Sequence, residues 1–298
     1  NDLKNKNFIF SLISCYLKNY EVLSDYLKRA IRKRGTQMAI NYEQLGKRIC
    51  HLRNKKNLSQ EKLGEQIGIS RESVTRIETG KKAGVSSYVV CSAATSPAQV
   101  EVINNFIIKE AQKHPEFIPF GTMHQDYQNY AEELERIHAA GCKGIKLHPD
   151  FQHFAVDDPI MDKIYAKAEE LNMAILFHAG DSRYDYSGPK RFLNLITKRP
   201  NLKVIAAHFG GYTEWEESIH YLVGKKIYFD TSSSFWKLPL DKAKEMIKNH
   251  GYEKFLFGSD FPMWDFKGEL SIIDQLGLSD KEKEAVLYGN AKKLLESL

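Results

Sequence analysis

Three runs between Met173 and Pro262 decide the fold: AILFHAG (residues 174–180), KVIAAHFGG (203–211) and FLFGSDFP (255–262). Each is a short apolar stretch that stops among small residues at a polar one, His178, His208 and Asp260 in turn. Apolar runs of this length fit strands buried on both faces, so each polar group is carried to a strand's C-terminal tip. His148, His178 and His208 are thirty residues apart, and so are Asp230 and Asp260. An α/β barrel of ~250 residues has ~31 residues per strand-helix unit. Each interval is therefore one repeat, and the polar tips share one rim. A single histidine closing an apolar run is more often a hydrogen-bonded core residue than a ligand. Three in phase with an aspartate point to a metal, because imidazole and carboxylate are the donors a hydrolytic divalent ion takes.

The chain has 298 residues, 42% hydrophobic and 27% charged, enough for one barrel or for a smaller domain beside an incomplete one. Its four cysteines, Cys15, Cys50, Cys91 and Cys142, share no CxxC-type spacing, so neither a zinc knuckle nor a disulfide framework is expected. FIFSLISCYL (8–17) is the one targeting candidate; it is too short to span a bilayer and lacks a small-residue cleavage site. A soluble, cytoplasmic protein is the expectation. The net charge of +5 is unevenly spread: residues 1–82 carry 18 Lys or Arg against 8 Asp or Glu, residues 83–298 carry 25 against 30. A basic head suits phosphates, and a mildly acidic body suits metal-dependent chemistry.

Residues 1–37 read as a basic extension rather than a native domain, with Met38 as a natural start and one helical pattern through Tyr16, Tyr20, Leu23, Leu27 and Ile31. Residues 38–82 read as compact and helical. In LSQEKLGEQIGISRESVTRIETGKK (58–82), Ser59 and Ser70 are placed as N-caps and Gly68 as the turn between two helices. This stretch resembles the phage-repressor (Cro-type) helix-turn-helix family. The resemblance implies DNA binding, with Gln60 near a phosphate and Arg71, Glu72, Ser73 and Thr75 facing base edges. The helices that close that family's bundle are absent, because the chain passes at once from Gly80-Lys81-Lys82 into a strand.

From residue 83 to residue 298, strands and helices alternate. Strands are expected in VSSYVVCSA, FIPFGTM, KGIKLHPD, AILFHAG, the His208 run, IYFDTSSS and the Asp260 run. That makes seven where a closed barrel has eight. GIKLHPDFQ, LFHAGD, VIAAHFGGY, YFDTSSS and LFGSDFP resemble the amidohydrolase superfamily, in the branch that includes aminocarboxymuconate-semialdehyde decarboxylase. The likeness spans about 215 residues, Gly84 to Leu298. It implies an incomplete (β/α)8 TIM barrel without its first strand.

It also implies a divalent metal, zinc or manganese, with His178 and Asp260 as ligands, His208 acting on the attacking water or on a proton, and Asp260 accepting the water's proton. The family's His-x-His pair on strand 1 is missing, so two of four protein ligands are missing too. His148 or Lys146 is the candidate third ligand. Asp181, Arg183 and Trp264 are placed toward substrate, with Arg183 suited to clamp a carboxylate. Asp230 is either a structural acceptor or a catalytic group. The expected function is a metal-dependent hydrolase or non-oxidative decarboxylase of a small organic acid, impaired by the loss of the His-x-His strand. The alternatives are a helix-turn-helix regulator with a barrel sensor and a non-functional chimera.

Overall fold

The computed structural model describes residues 13–14, 50–51, 53–55, 57–62, 87–261, 263–264 and 266–298. Its strands are β1 (Ile13–Ser14), β2 (Tyr88–Cys91), β3 (Phe117–Thr122), β4 (Gly144–Leu147), β5 (Ala174–Phe177), β6 (Lys203–Ala206), β7 (Tyr228–Asp230) and β8 (Phe255–Leu256). They form one parallel sheet in sequence order. Helices follow the strands, among them Val100–Lys113, Tyr130–Ala139, Asp162–Glu170, Pro189–Lys198, Trp215–Tyr221 and Leu240–His250. The architecture is an incomplete TIM barrel whose seven body strands, β2 to β8, are those expected. Among the described residues no ladder joins β8 to β1.

The strands are short because each is buried on both faces and the chain turns away as soon as its apolar run ends. Alternation sorts the side chains into two cores. Val89, Cys91, Phe120, Ala174, Leu176, Ile205, Ala207 and Leu256 form the inner cluster, and Ala291 and Leu294 of the last helix, Asn290–Glu296, join it. Ile145, Leu147, Ile175, Phe177, Val204, Ala206, Phe229 and Phe255 face the helices instead. The C-terminal helix is tied to the strand starts: Lys143 Nζ donates to the Leu298 oxygen at 2.8 Å, and Lys203 Nζ to the Ser297 oxygen at 2.8 Å. That end of the barrel is thereby covered, leaving the strands' C-terminal tips for chemistry.

One expectation is corrected here. A barrel body without its first strand would leave β2 as an open edge, but Ile13 pairs with Val90 and Ser14 with Cys91 in parallel. The segment considered for targeting supplies that pairing. The cause is general: an edge strand presents unpaired backbone groups, and a short extended segment such as Ile13–Ser14 satisfies them. The helical pattern through Tyr16 to Ile31 lies outside the described residues. Of the helix-turn-helix, the described part bears out one cap, since the Lys62 backbone N–H donates to Ser59 Oγ at 3.1 Å. Ser70 and Gly68 lie outside the described residues.

Candidate metal and proton-transfer site

Parity along the strands builds the site. Ile145 and Leu147 of β4 point to the helices, so Lys146 and His148 point inward; by the same count His178 follows Ala174 and Leu176. The paired register Leu147 with Phe177 brings the two histidines side by side. Their rings stack at 4.0 Å, with Phe151 on the other face of His148 at 3.8 Å. Both histidines are buried. Burial, then neighbouring basic groups (Lys146 and His208 for His148; His148, His208 and Lys146 for His178), holds both imidazoles well below their ordinary range. They are neutral at pH 7, the form that ligates a metal.

His208 is delivered by strained backbone. After β6 the chain turns through His208 (φ 60°) and Phe209 (φ 55°), left-handed conformations that bulky residues rarely adopt. His208 Nδ1 lies 3.0 Å from the Ser232 carbonyl oxygen. A carbonyl only accepts, so Nδ1 carries the proton and Nε2 is left with a lone pair. That nitrogen is 3.1 Å from His178 Nδ1, which must then be the donor. His178 Nε2 is consequently the free basic nitrogen of the pair.

Asp230, at the end of β7, anchors this arrangement. Its Oδ1 accepts from the His208 backbone N–H (3.1 Å), the Ser232 N–H (2.9 Å) and Ser232 Oγ (2.5 Å). Both readings of Asp230 survive: Oδ1 is a structural acceptor, while Oδ2 is buried with no protein partner. Asp260 also has left-handed backbone, φ 54°. Its Oδ2 accepts from Ser233 Oγ at 2.8 Å, and Trp264 Nε1 donates to that hydroxyl at 2.9 Å. Trp264 therefore reaches Asp260 through one hydroxyl. Lys146 is buried; desolvation lowers its pKa, opposed by Cys91, Asp260 and Asp230, and Asp230 and Asp260 follow from the paired strands β7 and β8.

On the other side, Asp150, His178 and Asp181 offer ligand atoms all within 4.8 Å of one another. Asp150 sits in the single helical turn Pro149–Gln152, which Gln152 fixes by accepting the His148 N–H at 2.8 Å and donating to the Ala94 and Met123 carbonyls, each at 2.7 Å. Asp150 is 1% exposed; Ser187 Oγ donates to its Oδ2 at 2.6 Å, and its Oδ1 has no protein partner. Burial, with Asp181 as a further negative neighbour, pushes its carboxyl up to about 6 despite the Ser187 hydrogen bond. Asp181 is gripped by Arg183 through two bonds of 2.8 and 2.6 Å, and that arginine side chain is 68% exposed. Gly180 makes this loop possible: its φ is +80°, and a Cβ there would lie 2.4 Å from the Tyr212 nitrogen.

The residues expected from the sequence thus fall into two groups that share His178. His148, His178 and His208 form a continuous row, with Asp260 and Trp264 on the Asp230 side, and Asp181 and Arg183 on the Asp150 side. Asp150, Ser232 and Ser233 were not singled out from the sequence. Asp150 had a signal, a carboxylate two positions past a strand-tip histidine in LHPD; the serines of TSSS gave none. Gln60 lies in a short helical turn, and Arg71, Glu72, Ser73 and Thr75 lie outside the described residues. No helix among the described residues is long and apolar enough to cross a membrane.

Comparison with known proteins places this site in context. A helix-turn-helix family matches residues 51–86. The fold is similar to that of 5-carboxyvanillate decarboxylase from Novosphingobium aromaticivorans, solved with manganese and 4-hydroxy-3-methoxy-5-nitrobenzoic acid (TM-score 0.66, 15% identity, 98% of this chain and 96% of that one). It is similar too to a dihydroxybenzoic acid decarboxylase from Polaromonas, solved with manganese and 2-nitroresorcinol (TM-score 0.64, 14% identity, 98% and 97%). A third similar structure is a putative amidohydrolase from Staphylococcus aureus (TM-score 0.60, 17% identity, 98% and 99%). At these identities the likeness is one of fold. The family described as Amidohydrolase matches residues 79–296, well over half of the sequence, and the chain belongs to that family.

Proposed function

We propose that this chain is a metal-dependent hydrolase or non-oxidative decarboxylase of a small organic acid, with activity lowered by the missing His-x-His strand. The observation that carries the reading is the relay from Asp230 through Ser232 and His208 to His178, which leaves a neutral imidazole nitrogen at the rim beside buried carboxylate oxygens that lack partners. Those orphaned atoms fit a divalent cation, since buried polar groups are otherwise satisfied. His178 would hold the ion, with His148 and Asp260 as the further ligands the sequence proposes. When bound, such an ion supplies Lewis acidity and lowers the pKa of water.

The chain's own groups do the rest. His208, held by Ser232, takes a proton at Nε2, the nitrogen that accepts the His178 Nδ1–H. Asp260, held by Ser233, receives a proton. Lys146, a buried cation near both aspartates, attracts an acidic substrate, and Arg183 clamps a carboxylate once it turns from Asp181. Two of the fold neighbours are decarboxylases of 5-carboxyvanillate and dihydroxybenzoic acid, each solved with manganese, which supports an aromatic acid as substrate and manganese as the ion.

The test is metal content and carbon dioxide release from hydroxybenzoic acids. About one equivalent of manganese per chain and a His208→Asn variant slowed by about 10²-fold or more are expected. Less than about a tenth of an equivalent would refute the reading.

A second reading has its own support. The helix-turn-helix match ends at 86 and the amidohydrolase match begins at 79, so the two overlap over residues 79–86 and leave no linker. This favours either a DNA-binding regulator with a barrel sensor, using Gln60, Arg71, Glu72, Ser73 and Thr75, or a chimera of two partial modules. Retention on DNA that falls steeply with salt would select the regulator.

A further inference from the structure

We infer that the cation seat in this barrel is displaced toward β4 and β5: Asp150 and Asp181, with His178, take a divalent ion in competition with the Arg183 guanidinium. The inference rests on the metal-dependent reading above and changes which carboxylates complete the ion's surroundings. Loss of strand 1 removes donors from the β8 side of the rim, where Asp260 is already engaged by Ser233. On the opposite side three donor groups converge within 4.8 Å.

Three observations support this seat. Asp150 is 1% exposed and its Oδ1 has no protein partner, so a group built into the interior is left one interaction short. The only basic side chain paired with Asp181 among the described residues is Arg183, which reaches in from solvent. Glu214 adds a third carboxylate nearby: burial first, then Glu217, and further down Asp150 and Asp181, raise its pKa, and its Oε2 is buried and unpartnered. Three carboxylates against one guanidinium leave an excess of two negative charges when all are ionised, the charge a divalent ion neutralises. One imidazole with two or three carboxylate oxygens is a hard, oxygen-rich donor set, suited to manganese or magnesium above a thiolate-seeking metal.

Arg183 is then the stand-in for the ion. Its guanidinium holds Asp181 in place when no cation is bound and swings outward, where it is already exposed, when one arrives. That movement also frees the guanidinium to meet a substrate carboxylate, which ties ion binding to substrate binding.

Equilibrium dialysis of the full, chelator-stripped chain against Mn²⁺, read by elemental analysis, tests this directly. The wild type is expected to take up one ion. Asp150→Asn should weaken binding at least about 10-fold, Asp260→Asn less than about 3-fold, and Arg183→Gln should tighten it several-fold. The exposed Arg183→Gln change leaves the core intact, so it remains informative where Asp150→Asn fails to fold. Wild-type uptake that survives Asp150→Asn and is lost in Asp260→Asn would overturn the displaced seat and leave the functional reading standing. Weaker binding in Arg183→Gln would overturn the competition. No uptake by the wild type would defeat both.

Discussion

The two sides of the barrel are built unequally. Along β4, β5 and β6 four-residue ladders run in register, and three histidines sit in a row at their tips. At β1 the ladder is two residues long, drawn from Ile13–Ser14, and brings no histidine. The difference separates what completes a sheet from what completes a site. Any extended apolar segment can satisfy an edge strand's backbone, because backbone pairing is blind to side chains. A ligand set needs particular side chains at particular tips, and the segment that fills the edge does not carry them.

The β4 to β6 side should be the harder of the two to destabilise locally, and substitutions there should have the largest effects. Phe177→Ala, at a fully buried position of β5, should cost about 3–5 kcal/mol in denaturant unfolding. Gly180→Ala should cost about 3 kcal/mol, because it combines a left-handed backbone with a backbone clash where the β5 and β6 loops touch, and it should also disturb the row of histidines. A value under 1 kcal/mol for both would mean that the β4 to β6 side is not the rigid half.

A pH series sharpens the same point. His250 is buried, accepts the Gly224 N–H at Nδ1 and lies 2.9 Å from the Ile227 carbonyl at Nε2. Burial first, opposed by that backbone bond, lowers its pKa to about 4. The unfolded chain, near 6.5, binds the proton more readily, so stability rises with pH and is lost as pH falls from about 6.5 toward 4. The loss should approach about 3 kcal/mol at pH 4, at about 1.4 kcal/mol per unit. A His250→Gln variant should show a flatter profile over that window, and an unchanged slope would exclude His250 as its source. Removing residues 1–14 deletes the two-residue ladder to β2 and should cost about 1–2 kcal/mol, near the worth of its backbone hydrogen bonds. A loss as large as that of Phe177→Ala would show that β1 is integral to the barrel.

The barrel, its seven body strands and the row of His148, His178 and His208 were legible from thirty-residue spacing, because spacing reports strand tips and alternation reports which way they face. The pairing of Ile13–Ser14 was not legible, since a two-residue bridge leaves no periodicity. Nor were Asp150, Ser232 and Ser233. Their roles depend on backbone that departs from regular elements: a one-turn helix after β4 and left-handed residues at His208, Ser233 and Asp260. Propensity and period describe elements, and these side chains are aimed by the turns between them.

The account stands on His178 presenting a neutral nitrogen to a divalent ion at the rim. Pulsed electron paramagnetic resonance of the full chain loaded with Mn²⁺ tests this most directly. The prediction is a bound ion with nitrogen coupling from coordinated imidazole, lost or clearly weakened in His178→Gln. A bound ion showing only water-proton coupling, or nitrogen coupling unchanged in His178→Gln, would contradict it.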